Sequence, residues 1–437
     1  MFDVVLIFGM FLVLLMGGLW APFAIASSAL VYIFLEGGLR GLKAIGFVSW
    51  GGMNSFTLTA IPLFLLLAEL LLRSGVAAQV YAGLSRLVRK LPGGLLQTNI
   101  AGCAVFSAIS GSSVATAAGI GTVALPQLVG RGYDRSIAAG SLAAGGTLGI
   151  LIPPSIAFIV YGTFTDTSVS QLFFAGLIPG IMMTGLFMLY VGLRAKLNPT
   201  ILPQIDETAS VTEDSHAALS RQTANDILPF AVLITATLGS IYAGIATPTE
   251  AAAMGCVFSI LIGAIWGNLG VGVFLECLRN AMVTSAGLMF IVFAAFLFSY
   301  AIGINGLGQT LANAIVDMDL SKFQLMLAIV LLYLFLGCVV ESIGIMVITL
   351  PVLFPILLAY EFDLVWFGVM MVILIEVGQM TPPLGINLFV IQGIWDGRIE
   401  EVIRGVIPFF AVMLCGLCLI WAFPEIATFL PGYMTTK

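Results

Sequence analysis

The chain has 437 residues, 60% of them hydrophobic and 9% charged, with a formal net charge of -6. Soluble domains average about 45–50% apolar and 25% charged residues, and here apolar windows of about 17–25 residues recur from end to end. A soluble fold is excluded in favour of an all-α integral membrane protein that spans the lipid bilayer many times; the few charges sit in short loops, and no nucleic-acid partner is expected.

The opening MFDVVLIFGMFLVLLMGG lacks a basic start and a cleavage site, so it reads as a first span rather than a signal peptide. Spans are expected at 4–20, 21–37 and 56–74. Residues 76–91 carry Arg86, Arg89 and Lys90 among apolar positions, the pattern of an amphipathic helix lying in the interface. The short segments 95–109 and 114–130 flank the small, polar SAISGSSVAT and read as a re-entrant hairpin with its tip inside the protein. A span over 136–165 is interrupted in TLGILIPPSIAFIVYG (Thr147–Gly162), because Pro153 and Pro154 remove backbone donors where no water compensates. Residues 171–193 cross again, and Leu197 to Asp226, polar, acidic and containing the only histidine, His216, read as a linker.

The halves on either side of that linker match. Pro22 corresponds to Pro248, Gly75 to Gly306, Pro126 to Pro351, Pro153 to Pro382 and Pro179 to Pro408, with offsets of 226, 231, 225, 229 and 229 residues. The motif QMTPPLGINLFVIQG (Gln379–Gly393) is the second Pro-Pro break, and the second hairpin is expected at about 321–340 and 343–360. Five crossings per half is an odd number, so the copies face opposite ways. Placing the N-terminus outside puts twelve basic residues in the cytoplasm and only Arg40, Lys43, Lys322 and Lys437 outside, in accord with the positive-inside rule. Both termini are then periplasmic, the linker is cytoplasmic, and the first hairpin enters from the cytoplasm and the second from the periplasm.

Two inverted-topology repeats, each with a re-entrant helical hairpin and a broken helix, are the architecture of secondary transporters. Broken helices free carbonyl and amide groups at mid-depth. One site is expected where Ser110, Gly111, Ser112 and Ser113 face the Gly145–Ile152 break, and a second where the Gly337–Gly344 tip faces the Gly378–Thr381 break. Carbonyl and hydroxyl oxygens are hard neutral ligands suited to Na+; the competing reading is that small residues only allow close helix packing. Among membrane-depth carboxylates, Glu250 completes a Thr247-Pro248-Thr249-Glu250 capping box, while Glu341 and Glu376 either tune a cation site, carry a proton, or are buried hydrogen-bonded groups, and Glu69 has no assigned role. The six cysteines, Cys415 and Cys418 included, read as small hydrophobes rather than a redox or zinc site.

The stretches Gly130–Gly162, Ser55–Ala77, Gly244–Gly255 and Glu376–Val390 closely resemble the large membrane subunit of tripartite ATP-independent periplasmic (TRAP) transporters, and the likeness covers essentially the whole chain outside the linker. The resemblance implies an elevator-type, Na+-coupled importer of carboxylates or sialic acids in the bacterial inner membrane. It also implies a periplasmic binding protein that delivers the substrate and a small four-helix membrane subunit. Joined to the residue-level reading, it gives Na+ contacts at Ser110, Gly111, Ser112, Ser113, Gly145, Leu148, Gly337, Glu341, Gly378 and Thr381. Substrate contacts are expected at Asn54, Ser112, Ser113, Thr116, Pro154, Ser342, Thr381, Pro383 and Asn387. The first repeat is expected over 1–196 (scaffold spans 1–56 and 171–196, transport part about 57–165 with hairpin 95–130), the linker over 197–226, and the second repeat over 227–437 (scaffold 227–280 and 405–424, transport part about 281–395 with hairpin 321–360). Glu341 stands where the family often has Asp, and no Arg lies at membrane depth; the substrate-selecting arginine belongs to the binding protein. The rivals are a stand-alone divalent-anion/Na+ symporter of the same plan and, remotely, an intramembrane enzyme, for which no HExxH or GxSxG motif is present.

Overall fold

The structure, a computed structural model, describes residues 2–88, 90–203, 213–382 and 385–434. Arg89, Pro383, Lys437 and linker residues 204–212 lie outside the described residues. Among the described residues the chain is helical with short turns and no strand. The first half contains α1 (Phe2–Met16), α2 (Ala21–Lys43), α3 (Ile45–Met53), α4 (Ala60–Arg73), α5 (Val76–Val88), α6 (Leu95–Ser110), α7 (Ser113–Gly130), α8 (Arg135–Leu151), α9 (Ile156–Thr165) and α10 (Val169–Leu197). The second contains α11 (Glu213–Tyr242), α12 (Pro248–Ile265), α13 (Val271–Ile304), α14 (Leu307–Val316), α15 (Lys322–Gly337), α16 (Ser342–Ala359), α17 (Leu364–Gln379), α18 (Ile386–Gly393), α19 (Ile399–Ala422) and α20 (Glu425–Met434).

Every matched pair from the sequence occupies equivalent places. Pro22 and Pro248 lie in the first turns of α2 and α12, where the missing amide costs nothing. Gly75 and Gly306, with φ of 83° and 60°, turn the chain into α5 and α14 in a left-handed conformation that glycine adopts freely. Pro126 and Pro351 lie within α7 and α16, Pro179 and Pro408 within α10 and α19, and Pro153 and Pro382 in the two breaks. The Thr247–Glu250 capping box that starts α12 is formed, with Thr247 N and Oγ1 both donating to Glu250 Oε2 at 2.8 Å.

The halves also differ. The expected span 56–74 is preceded by α3, and the pair is bent by 63° at Asn54, whereas its counterpart α13 runs unbroken for 34 residues. Gly52 lets the bend press against Phe296 of α13, whose ring carbon lies 2.5 Å from an ideal Cβ. The polar segment expected as linker is helical from Glu213 and continues into the α11 span. Its run of Ala, Leu, Arg and Gln favours helix, and Asp226 is held there by Arg86 at 2.5 Å. Among the described residues nine helices are long and apolar enough to cross a membrane, or ten if α3–α4 counts as one span. Two of the nine, α7 and α16, are second arms of hairpins, and α1 and α17 are apolar but shorter.

Two sets of contacts organise the molecule. Helix α2 packs on α13, and its symmetry mate α12 packs on α4. The second set surrounds the broken helices: α6 and α7 pack on α8, α15 and α16 on α17, and the repeats interlock because α7 meets α18 while α16 meets α9. The broken helix α8–α9 is 94% buried over its most apolar window, so it runs through protein rather than lipid. Helix α8 crosses α19 backbone to backbone, with an ideal Cβ on Gly405 falling 1.9 Å from the Ser136 carbonyl oxygen and one on Gly140 falling 2.2 Å from the Gly405 carbonyl carbon. Without a hydrophobic drive between helices in lipid, such close approach supplies the packing energy, and Ser136 Oγ adds a hydrogen bond to the Glu401 carbonyl at 2.6 Å.

Substituting Gly405→Val must push these helices apart. A loss of about 2–4 kcal/mol is expected from overpacking at a backbone contact, read as a lowered unfolding midpoint in detergent; Gly432→Val, with nothing within 4 Å of its ideal Cβ, should change the midpoint little.

Candidate functional site

Each hairpin tip closes on the break of its own repeat. In the first, α6 ends at Gly111 in the left-handed conformation (φ 57°), which turns the chain back into α7 with Ser112 as N-cap. The Gly111 carbonyl accepts from Ile156 N across the break at 3.2 Å. The approach is tight on both sides: an ideal Cβ on Gly111 would lie 2.8 Å from the Pro154 carbonyl oxygen, and one on Gly149 2.5 Å from the Ser112 carbonyl oxygen. In the second repeat Gly378, the counterpart of Gly149, meets Gly337, with an ideal Cβ on Gly337 2.4 Å from Gly378 Cα. Cys338 Sγ reaches the Pro382 carbonyl at 3.6 Å.

The two breaks are finished differently. Ser155 seals the first: its Oγ donates to the Ile150 carbonyl at 2.6 Å and accepts from Phe158 N at 3.3 Å, so the loose ends of α8 and α9 satisfy each other. Helix α18 starts at Gly385, which has no side-chain cap. Thr381 turns inward on its own helix, its Oγ1 donating to the Val377 carbonyl at 2.7 Å. Around this second break the side chains are polar and buried. Glu376 is 1% exposed, Gln379 1% and Asn387 0%. Their counterparts at an offset of 229 are Thr147, Ile150 and Phe158.

These groups meet across the repeats. Ser113 of the first tip donates its hydroxyl to Glu376 Oε1 of the second broken helix. Behind it, the Ser110 and Thr116 hydroxyls share a hydrogen bond of 2.6 Å. Glu376 Oε2, Glu341 Oε1 and both side-chain polar atoms of Gln379 and of Asn387 have no hydrogen-bond partner among the described residues. Buried polar groups are almost always paired, and an unpaired one costs about 1–3 kcal/mol, so this concentration has the character of a binding site. The polar side chains around the second break offer mainly oxygen, the Glu376 carboxyl, the Gln379 and Asn387 amide carbonyls and the Ser113 hydroxyl, the hard ligands that suit an alkali or alkaline-earth cation.

The structure therefore gathers Ser110, Gly111, Ser112, Ser113, Thr116 and Pro154 at the first tip and break, Gly337 and Gly378 at the second, and links the two through Ser113 and Glu376. Asn387 lies on α18 beyond the second break, and Glu341 and Ser342 start α16. Gly145 faces Cys103 of α6, whose Sγ lies 2.9 Å from an ideal Cβ, and the Leu148 carbonyl accepts from Ile152 N at 2.9 Å within the last turn of α8. Asn54 is the exposed C-cap of α3 and is not among the residues these contacts join. Its neighbours Ser55 and Thr57 instead line a polar cleft of about 490 Å³ with Asp166, Ser168 and Thr247. Glu69 is accounted for by Arg73 at 2.8 Å, which also binds Glu276 of α13 at 2.5 Å. Gln379 was not among the expected site residues; its signal was a polar side chain at the last residue of α17, three residues before a Pro-Pro pair.

Inverted repeats interlocked around two closed hairpins and a buried polar cluster define a secondary transporter. The chain belongs to the DctM component family of tripartite ATP-independent periplasmic transporters, whose model matches residues 8–426. It is 33% identical over 447 residues to the C4-dicarboxylate TRAP transporter large permease protein of Rhodobacter capsulatus, covering 99% of each chain. It is 31% identical over 427 residues to the sialic acid TRAP transporter large permease protein of Vibrio cholerae, covering 97% of each. The isethionate TRAP transporter permease protein of Oleidesulfovibrio alaskensis is 32% identical over 98% of this chain, which spans 66% of that longer protein. Among solved structures the fold is similar to the YdaH transporter of Alcanivorax borkumensis, with TM-score 0.61 and 17% identity over 91% of this chain and 89% of that one. It is also similar to MtrF of Neisseria gonorrhoeae, with TM-score 0.55 and 15% identity over 91% and 85%.

Replacing Gln379 with Leu removes two unpaired buried polar atoms while keeping much of the volume. The expected result for the ligand-free protein is a stability gain of about 1–3 kcal/mol, seen as a raised unfolding midpoint; a lowered midpoint would mean that these atoms are paired.

Proposed function

We propose that this chain is the large permease of a Na+-coupled importer that moves a small organic acid, of the carboxylate or sialic acid class, delivered by a periplasmic binding protein. The substrate class rests on the family and on the relatives named for C4-dicarboxylates, sialic acid and isethionate. The coupling ion rests on the oxygen-rich cluster at Ser113, Glu376, Gln379 and Asn387, and that unpaired cluster is the observation that carries the reading. Among the described residues no basic side chain bonds to it, so a carboxylate would be held by amide and hydroxyl groups and by Na+ itself. A small membrane subunit completes the assembly, with both termini periplasmic and the α10–α11 connection cytoplasmic.

For movement we infer an elevator in which the two hairpins and both broken helices travel as one body. The frame is α1, α2, α3–α4, α11, α12 and α13, supported by the reciprocal packing of α2 on α13 and α12 on α4. In this division α10 and α19 travel with the hairpins, although the sequence suggests scaffold spans over 171–196 and 405–424. Gly405 of α19 is locked against Gly140 of α8, and an ideal Cβ on Gly176 of α10 would lie 2.7 Å from the Leu151 carbonyl oxygen of α8. Interfaces so tight at the backbone do not slide.

The test is uptake into liposomes by the chain together with the small subunit and binding protein encoded beside it, screened over a panel of carboxylates. An inward Na+ gradient should drive uptake, and Ser112→Trp or Thr381→Trp should each reduce it by about a hundredfold, as expected when a site is displaced by an ångström, without loss of folded protein. Unchanged Na+ dependence in both variants would refute the site, and uptake without the partners would replace the tripartite reading with a stand-alone symporter.

A further inference from the structure

An apolar groove of about 600 Å³ lies between α5, α6, α10 and α11. It runs along the seam between α11 and the hairpin body. At one end it is lined by Leu84, Met188 and Ile227, and at the other by Ile181, Thr235, Ala108 and Ile152. Thr184, within it, spends its hydroxyl on the Gly180 carbonyl at 2.7 Å, which leaves the wall still more apolar. The eight steps of α11 from Ile227 to Thr235 rise about 12 Å, close to the 15 Å or so of one leaflet's hydrocarbon. The deep end lies beside the first tip and break, since Ala108 is two residues before the tip serine Ser110 and Ile152 is the C-cap of α8.

The shallow end is cationic. Arg86 lies two residues beyond Leu84, Lys90 six beyond it, and Arg194 and Lys196 extend α10 past Met188. The α5–α6 turn is packed on that part of α10, with Gln97 Nε2 bonded to the Pro92 carbonyl at 2.8 Å and to the Met188 carbonyl at 3.0 Å. Asp226 neutralises Arg86 and leaves a positive rim. A second apolar groove, about 200 Å³ between α1 and the arms α15 and α16 of the second hairpin and lined by Phe8, Phe11 and Leu336, offers a contrast. Among the described residues the only basic one on its helices, Lys322, is ten residues from Leu332, about 15 Å of rise.

We propose that the groove between α11 and the first hairpin is a binding site for an anionic glycerophospholipid, one acyl chain lying along the seam with its end at Ile152 and the phosphate on Lys90 and Arg194. A wholly apolar slot one leaflet deep with cations at its mouth matches that ligand in length and charge. A polypeptide helix, about 10–12 Å across with its side chains, does not match it in shape. The site would couple lipid occupancy to the seam along which the body moves.

The experiment is native mass spectrometry of the purified chain titrated with phosphatidylglycerol and phosphatidylethanolamine of matched chains. Phosphatidylglycerol should be retained preferentially, by about fivefold for each cation at the headgroup, because the ammonium of phosphatidylethanolamine offsets the charge of its phosphate. Ala231→Trp and Ala108→Phe, which fill the groove from opposite walls, should each abolish that retention in protein that stays monodisperse. Lys90→Gln with Arg194→Gln should erase the preference between headgroups and leave both lipids bound. Equal retention in the wild type and both groove-filling variants overturns the proposal. So does loss of small-subunit co-purification in those variants with lipid retention intact, which would give the groove to a protein. Displacement of the phosphatidylglycerol by millimolar inorganic phosphate would also overturn it, because the acyl chain would then add nothing.

Discussion

A helix that stops at the middle of a bilayer leaves amide and carbonyl groups that lipid cannot satisfy, and the architecture of this protein follows from meeting that demand twice. The broken helix α8–α9 is almost wholly wrapped by protein. Its loose ends are sealed by Ser155 and by the Gly111 carbonyl, which accepts from Ile156 N. Sealing from the side requires a tip that comes within backbone contact, and a tip can do so only where neither strand of the approach carries a Cβ. Hence Gly111 and Gly149 meet the first break, and Gly337 and Gly378 the second. The hairpins are the consequence of the breaks.

Duplication gave the chain two of these devices, and later divergence separated their roles. The first break is self-sufficient, with Ile150 and Phe158 apolar and Ser155 capping. The second carries Glu376, Gln379 and Asn387 at the positions of Thr147, Ile150 and Phe158. Backbone symmetry thus supplies the frame for a site, while side-chain asymmetry concentrates its polar atoms near one break. Burying those atoms unpaired works against stability, which is the expected signature of a region shaped for a ligand rather than for folding.

Much of this was legible in the sequence because proline and glycine are read through backbone geometry alone. Five offsets between prolines and glycines locate every matched element to within a few residues, and the hairpins expected at 95–130 and 321–360 are observed at Leu95–Gly130 and Lys322–Ala359. The polar SAISGSSVAT marks a tip for the same local reason. What was not legible depends on contacts distant along the chain. Gly140 and Gly405 read as ordinary helix glycines until α8 and α19 are brought together. The bend at Asn54 depends on Gly52 packing against Phe296, 244 residues away. Treating the two breaks as equivalent hid Gln379, since the symmetry that reveals the repeat says nothing about where its copies differ. Asn54, exposed at the end of α3, is the one expected contact that lies away from both tips and both breaks.

The interlocking of the repeats constrains how such a molecule can move. Helix α7 of the first hairpin packs on α18 of the second break, α16 packs on α9 of the first, and Ser113 is tied to Glu376. Opening one hairpin as an independent gate would therefore strip contacts from the other repeat's broken helix and leave a buried carboxylate without its only partner among the described residues. Moving both hairpins and both breaks together preserves these contacts and places the change at the seams with the frame, where α13 packs on α16 and α4 on α6 and where the grooves beside α1 and α11 are lined by apolar side chains. Apolar side chains facing lipid or each other lose little when they slide, whereas a buried carboxyl group left without its hydrogen bond costs about 1–3 kcal/mol. On that comparison, the elevator proposed above costs less than a hairpin that opens as an independent gate.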